Sequence, residues 1–142
     1  MESNLTAGTQ SGERPFIAIW EVTQACDLAC IHCRACAQPQ RSLMELSTSE
    51  GESLIRQVRE LRIPVFVLAG GDPLKRPDTF HLVEYRTKLG VRVSLTPSAT
   101  PLLTRQAVEE FKARGLARLA LSLDGRSLFR RSLLRLPAEE LG

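Results

Sequence analysis

At 142 residues, 43% hydrophobic and 25% charged, the chain has the balance of one folded domain, or part of one, and not that of a disordered segment. No apolar run reaches the roughly 20 residues of a membrane span, and the polar start MESNLTAGTQSGERP lacks the apolar centre of a secretion signal. Both point to a cytoplasmic chain with reduced thiols. The net charge is +3, but residues 126–142 hold four arginines against two glutamates, so the rest is nearly neutral and offers nucleic acid no strong electrostatic support.

Residues 1–14 read as a polar leader and 15–125 as the folded core. FIAIWEV (16–22) is β-branched and aromatic, which predicts a strand. Ser47 and Glu50 then have capping-box spacing, and Leu54, Ile55, Val58 and Leu61 fall on one helical face behind them. PVFVLAGG (64–71) reads as a buried strand. PDTFHLVEYRTKLG follows as a helix, with Asp78 near its start and Gly90 as its stop. VRVSLT (91–96) predicts a third strand. A third helix runs from the N-cap Thr104 to Gly115, and ARLALSLDG (117–125) is a fourth strand. The order βαβαβαβ predicts parallel strands joined by right-handed crossovers, in an open doubly wound sheet or a barrel.

Such folds do their chemistry at the carboxyl ends of the strands. The unusual segments all fall there: CDLACIHC after the first strand, GGDP after the second, TPSAT after the third and SLDG at the end of the fourth. All four cysteines lie between residues 26 and 36. Cys26, Cys30 and Cys33 have the spacing C-x3-C-x2-C. That spacing is also one helical face, where cysteine packs as a small hydrophobe, although Pro39 soon ends any helix. A zinc site usually needs a second spaced pair, and none follows. A ferredoxin site commonly has C-x2-C-x2-C with a distant fourth cysteine, and that one is absent. In GGDPL, Gly70 and Gly71 let the backbone approach a ligand closely, and Asp72 is a candidate acceptor for a cationic amine.

CDLACIHC matches the C-x3-C-x-aromatic-C signature of the radical S-adenosylmethionine (SAM) enzymes, with His32 in the aromatic slot. Over about residues 15–125 the chain resembles that family. The resemblance implies a TIM-type (βα) barrel of six units, of which this chain supplies three and the start of a fourth: an incomplete α/β fold with parallel strands. It implies that Cys26, Cys30 and Cys33 hold a [4Fe–4S] cluster whose fourth iron takes the amino and carboxylate groups of SAM. An electron donor such as flavodoxin or ferredoxin would then allow formation of a 5′-deoxyadenosyl radical, which takes a hydrogen atom from a small-molecule or peptide substrate.

GGDPL resembles the family's Gly-Gly-Glu-Pro-like motif, which holds the amino group of SAM, with Asp72 in place of the usual Glu. Gly70, Gly71 and Asp72 are therefore expected SAM contacts. Ser122 and Asp124 in LSLDG match a segment that binds the ribose and methionyl parts, which makes Ser122 a further expected contact. TPSAT matches a Thr-Thr-Asn-Gly-like loop only at Thr96. The words IWEVTQACDLACIHCRACAQP and VFVLAGGDPLKRPD are similar to the branch with haem-biosynthesis and peptide-modifying members, which suggests a tetrapyrrole or a peptide as substrate. Trp20 is expected in the core, His81 on the surface, and Cys36 as a spare or protective thiol.

Residues 126–142 depart from the family pattern. They read as a divergent basic helix or, as the favoured expectation, as the end of a truncated or frame-shifted product. A half barrel of this kind is expected to hold a cluster and bind SAM weakly, and to catalyse poorly alone. The alternative is a small iron–sulfur electron carrier or metal-binding module without SAM chemistry. GGDP argues against it, since a carrier needs no amine-binding loop.

Overall fold

The computed structural model describes residues 14–30 and 32–121 together with a two-residue strand at 134–135. Strand β1 (Ile17–Thr23) alternates: Ala18, Trp20 and Val22 turn toward the core, while Ile17, Ile19 and Glu21 face away. A short strand β2 (Ala29–Cys30) lies inside the cysteine segment. Helix α1 (Thr48–Glu60) starts at the expected capping box. Ser47 accepts from the Glu50 amide, and the Glu50 carboxylate accepts from the Ser47 amide. Strand β3 (Val65–Gly70) leads into a 3-10 turn at Pro73–Lys75 and then helix α2 (Thr79–Lys88). Strand β4 (Val93–Leu95), helix α3 (Arg105–Ala113), capped by Thr104, and strand β5 (Arg118–Leu119) follow.

The strands pair in parallel in the order β1-β3-β4-β5. Each new strand is added on the same side of the last, with no reversal. Ile55 and Val58 of α1, Leu82 and Val83 of α2, and Phe111 of α3 share one buried cluster with Val22, Phe66, Leu68, Val93 and Leu95. All three helices therefore cover the same face of the sheet. This is the arrangement of a (βα) barrel, opened after its first strands, and it excludes the doubly wound sheet, which needs helices on both faces. The other face is bare: Ile17 is 48% and Ile19 51% exposed.

Burying each of Phe66, Leu68, Leu95 and Phe111 contributes about 1.5–3 kcal/mol, enough to hold the sheet on its helices. At the amino end of the strands, the buried Arg86 ties two connections together. Its guanidinium donates to the Val91 carbonyl, and to the Gly115 carbonyl at 2.9 Å. Burial pushes Arg86 down to about 10, which leaves it charged at neutral pH.

Some expectations shift. Pro64, Gly71, Val91, Arg92 and Thr96 lie outside the strands predicted to contain them, and the fourth strand is only Arg118–Leu119, without Ala117, Ala120 or Leu121. The helical reading of the tail does not hold at Leu134–Arg135, which form strand β6, antiparallel to β2. Asp78 is the N-cap of α2 but makes no capping bond, because its carboxylate is taken by Arg76 at 2.7 and 2.9 Å and by Thr48 at 2.7 Å. Trp20 packs on the core as expected, with the Arg76 guanidinium 5.2 Å above its ring. His81 is on the surface, 2.6 Å from Glu52.

Candidate functional site

The site begins with a flaw in a strand. The β1–β3 register shifts between Glu21 and Thr23, and this bulge turns the chain out of the sheet just before the cysteines. The cysteine segment then closes at its neck. The Cys26 amide donates to the Gln38 carbonyl and the Gln38 amide to the Gln24 carbonyl, both at 2.8 Å. Lys75 reaches across from the 3-10 turn, pairing with Asp27 at one end of the loop and donating to the Pro39 carbonyl at the other.

Glu45 braces the approach. It accepts from the Thr23 hydroxyl at 2.6 Å, from the amides of Gln24 and Ser42, and from Arg41. Burial alone would raise its carboxyl, but these donors outweigh it and hold the group below its usual value.

The GGDP turn docks against this neck. The Gly71 amide donates to the Thr23 carbonyl at 2.8 Å, and the Asp72 amide to the Ala25 carbonyl at 2.6 Å. A Cβ on Gly70 would lie 2.2 Å from the Thr23 carbonyl oxygen, and one on Gly71 2.4 Å from that of Ala25. Gly70 also has φ +132°, a region that side chains disfavour. In the fold both glycines make room for the backbone that leads to Cys26.

Asp72 is fully buried. One carboxylate oxygen accepts from the Leu74 amide at 3.1 Å and the other from the Thr100 hydroxyl at 2.7 Å. Two residues earlier in the same loop, the Ser98 hydroxyl donates to the Gly71 carbonyl at 2.9 Å and lies 3.5 Å from the Cys26 sulfur. The third loop of the rim thus grips the second through two hydroxyls and touches the first. Thr96 itself only extends the ladder, its amide donating to the Leu68 carbonyl. Ser98 and Thr100 were not expected as site residues. Nothing in TPSAT marks them, since their partners lie far away in sequence.

Cys26 is buried, Cys30 and Cys33 are half-buried, and Cys36 is exposed with φ +47°. Cys30, Cys33 and Cys36 line a cavity of about 390 Å³, whereas Cys26 sits at the neck against Ser98. Amides point at two of the sulfurs, Leu28 at Cys26 and Ala37 at Cys33, each at 3.4 Å. Among the described residues, no group of three or more His, Cys, Asp or Glu side chains is placed to hold one metal ion. A cubane makes a different demand, because its cysteine-bound irons occupy separate corners. Soft sulfur donors on one loop, with amide hydrogens aimed at them, suit an iron–sulfur cluster. Ser122 and Asp124 lie outside the described residues.

A family model described as the Radical SAM superfamily matches residues 20–136. The chain is 40% identical over 111 residues to an AdoMet-dependent heme synthase of Methanosarcina barkeri, covering 78% of this chain and 32% of the relative. It is 43% identical over 108 residues to an AdoMet-dependent heme synthase of Oleidesulfovibrio alaskensis, covering 76% and 28%. The chain thus spans about a third of the length of the curated relatives it matches. In fold it is similar to Streptococcus suis SuiB. In its complex with S-adenosylmethionine, SuiB superposes with a TM-score of 0.72 at 21% identity, covering 86% of this chain and 28% of that one. SuiB bound to precursor peptide SuiA gives 0.72 at 20% identity, covering 88% and 28%.

Proposed function

Because the chain belongs to the radical SAM superfamily, we propose that its rim is the cofactor end of an enzyme that generates a 5′-deoxyadenosyl radical. The superfamily's cofactors are a [4Fe–4S] cluster and SAM. Together, when bound, they supply the radical that abstracts hydrogen from substrate. Cys26, Cys30 and Cys33 would hold the cluster, and Gly70, Gly71 and Asp72, with Ser122, would contact SAM. The observation that carries this reading is the docking of the GGDP turn on the neck of the cysteine loop, through the Gly71 and Asp72 amides. A loop built only to carry electrons has no use for it.

The chain's own residues then have definite tasks. The amides of Leu28 and Ala37 stabilise negative charge on Cys26 and Cys33. The Asp72 carboxylate is buried and already accepts two hydrogen bonds. With about four lone-pair sites on a carboxylate, acceptor capacity remains for a cationic amine.

The heme synthases are 40–43% identical to this chain. Their names favour a tetrapyrrole as the substrate of the whole enzyme; a small low-potential protein such as flavodoxin or ferredoxin would serve as its electron donor. The likeness to peptide-bound SuiB, at 20% identity, bears on the fold alone. No helix among the described residues is long and apolar enough to cross a membrane.

The test is anaerobic reconstitution with iron and sulfide, followed by low-temperature EPR of the reduced chain with and without SAM. A reduced-cluster signal that changes on adding SAM is expected. A signal indifferent to SAM would replace this reading with an electron carrier. Failure to assemble any cluster would overturn the ligand assignment.

A further inference from the structure

The Ser98 hydroxyl lies against the Cys26 sulfur, and it has a single proton for two neighbours. It donates to the Gly71 carbonyl at 2.9 Å. With Cys26 as a thiol, the S–H can donate to Ser98 Oγ at 3.5 Å, and both contacts are satisfied. A cluster-bound sulfur carries no proton and can only accept.

We propose that Ser98 is a positioning residue for the cluster: when Cys26 ligates iron, the Ser98 hydroxyl turns from the Gly71 carbonyl to the Cys26 sulfur, and so raises the reduction potential. This rests on the reading of Cys26 as a ligand. The physics is that reduction adds one electron to the cluster and makes its sulfurs more negative. A hydrogen bond to sulfur then stabilises the reduced form more than the oxidised one. The Leu28 amide already supplies Cys26 with one donor from its own loop. Ser98 supplies a second, from a loop 72 residues away. Cys26 is also the most buried of the four cysteines, where water competes least for the bond. The consequence is a link between the third loop and the electron chemistry. Whatever shifts residues 96–100 shifts the potential.

The experiment is an EPR-monitored redox titration of the reconstituted chain without SAM, using a low-potential chemical reductant. Ser98→Ala, Ser98→Thr and Cys26→Ala are compared with the parent. Ser98→Ala should load the cluster and be harder to reduce. An equilibrium shifted about tenfold corresponds to 59 mV for one electron. Ser98→Thr, which keeps the hydroxyl, should return toward the parent. If Ser98→Ala folds by circular dichroism but loads no cluster, while Ser98→Thr loads it, the hydroxyl acts in holding the cluster and not on its potential, and the proposal is overturned. A potential unchanged in Ser98→Ala would overturn the role of Ser98 alone. If Cys26→Ala keeps the parental cluster and potential, the ligand reading fails, and this proposal with it.

Discussion

Gly71→Ala tests the interlock at its tightest point. The added methyl would lie 2.4 Å from the Ala25 carbonyl oxygen and 2.7 Å from that of Gln24, about 1 Å short of ordinary contact for the first. Both obstacles are backbone, and no side chain can swing aside. The Ala25 carbonyl is also fixed by the Asp72 amide at 2.6 Å, so moving it breaks a hydrogen bond. Overpacking costs about 1–3 kcal/mol and the lost bond about 1 kcal/mol, for a total of about 3 kcal/mol. Gly90→Ala is the control. Its φ is +72°, but nothing lies within 4 Å of the new Cβ, so only backbone strain of about 1 kcal/mol applies. Urea unfolding of the metal-free, reduced chain, followed by circular dichroism, separates them. With a slope of about 2 kcal/mol per molar, Gly71→Ala should lower the midpoint by about 1.5 M and Gly90→Ala by about 0.5 M. Equal shifts, or a smaller one for Gly71→Ala, would show that the turn and the neck are not pressed together.

Two further outcomes follow from the buried carboxylate and the braced one. Asp72→Asn keeps the shape, and its amide can still serve Leu74 and Thr100. It should therefore cost stability about 1 kcal/mol while weakening SAM binding measured by calorimetry on the cluster-loaded chain. Unchanged SAM affinity would remove Asp72 from the cofactor site. Glu45 has a depressed pKa in the folded chain, so its contribution to stability is present above its ordinary value of 4.5 and is lost as pH falls below that. Urea midpoints of Glu45→Gln and the parent should accordingly converge as pH is lowered from 6 toward 3, and parallel curves would refute the assignment.

Local chemistry was readable in advance. Ser47 and Glu50 marked a helix start because a capping box is closed within four residues, and Thr104 did so through a single side-chain cap on the Ala107 amide. The strands were visible as β-branched runs, and the cysteine spacing and GGDP stood out by composition. Contacts made only when loops meet were hidden. Lys75 looks like any surface lysine until the 3-10 turn brings it between Asp27 and Pro39. Glu45 gave no sign that it would gather donors from Thr23 and Gln24. Asp78 shows a subtler failure. It was placed correctly at a helix start, but a neighbour, Arg76, and a distant residue, Thr48, won its carboxylate from the cap. The ends of the strands depended on where the rim turns, which no propensity encodes.

The closed neck of the cysteine loop has a thermodynamic consequence. Drawing Cys26 and Gln38 together from a random chain costs about 2 kcal/mol of loop entropy. Here that cost is met during folding, by two backbone hydrogen bonds and the Lys75 clasp. The metal-free chain therefore already carries its thiols on one short ring. Sulfur–iron bond energy that would otherwise be spent gathering them appears instead as affinity. Assembly of a cluster on this loop is, to that extent, coupled to the folding of the sheet beneath it.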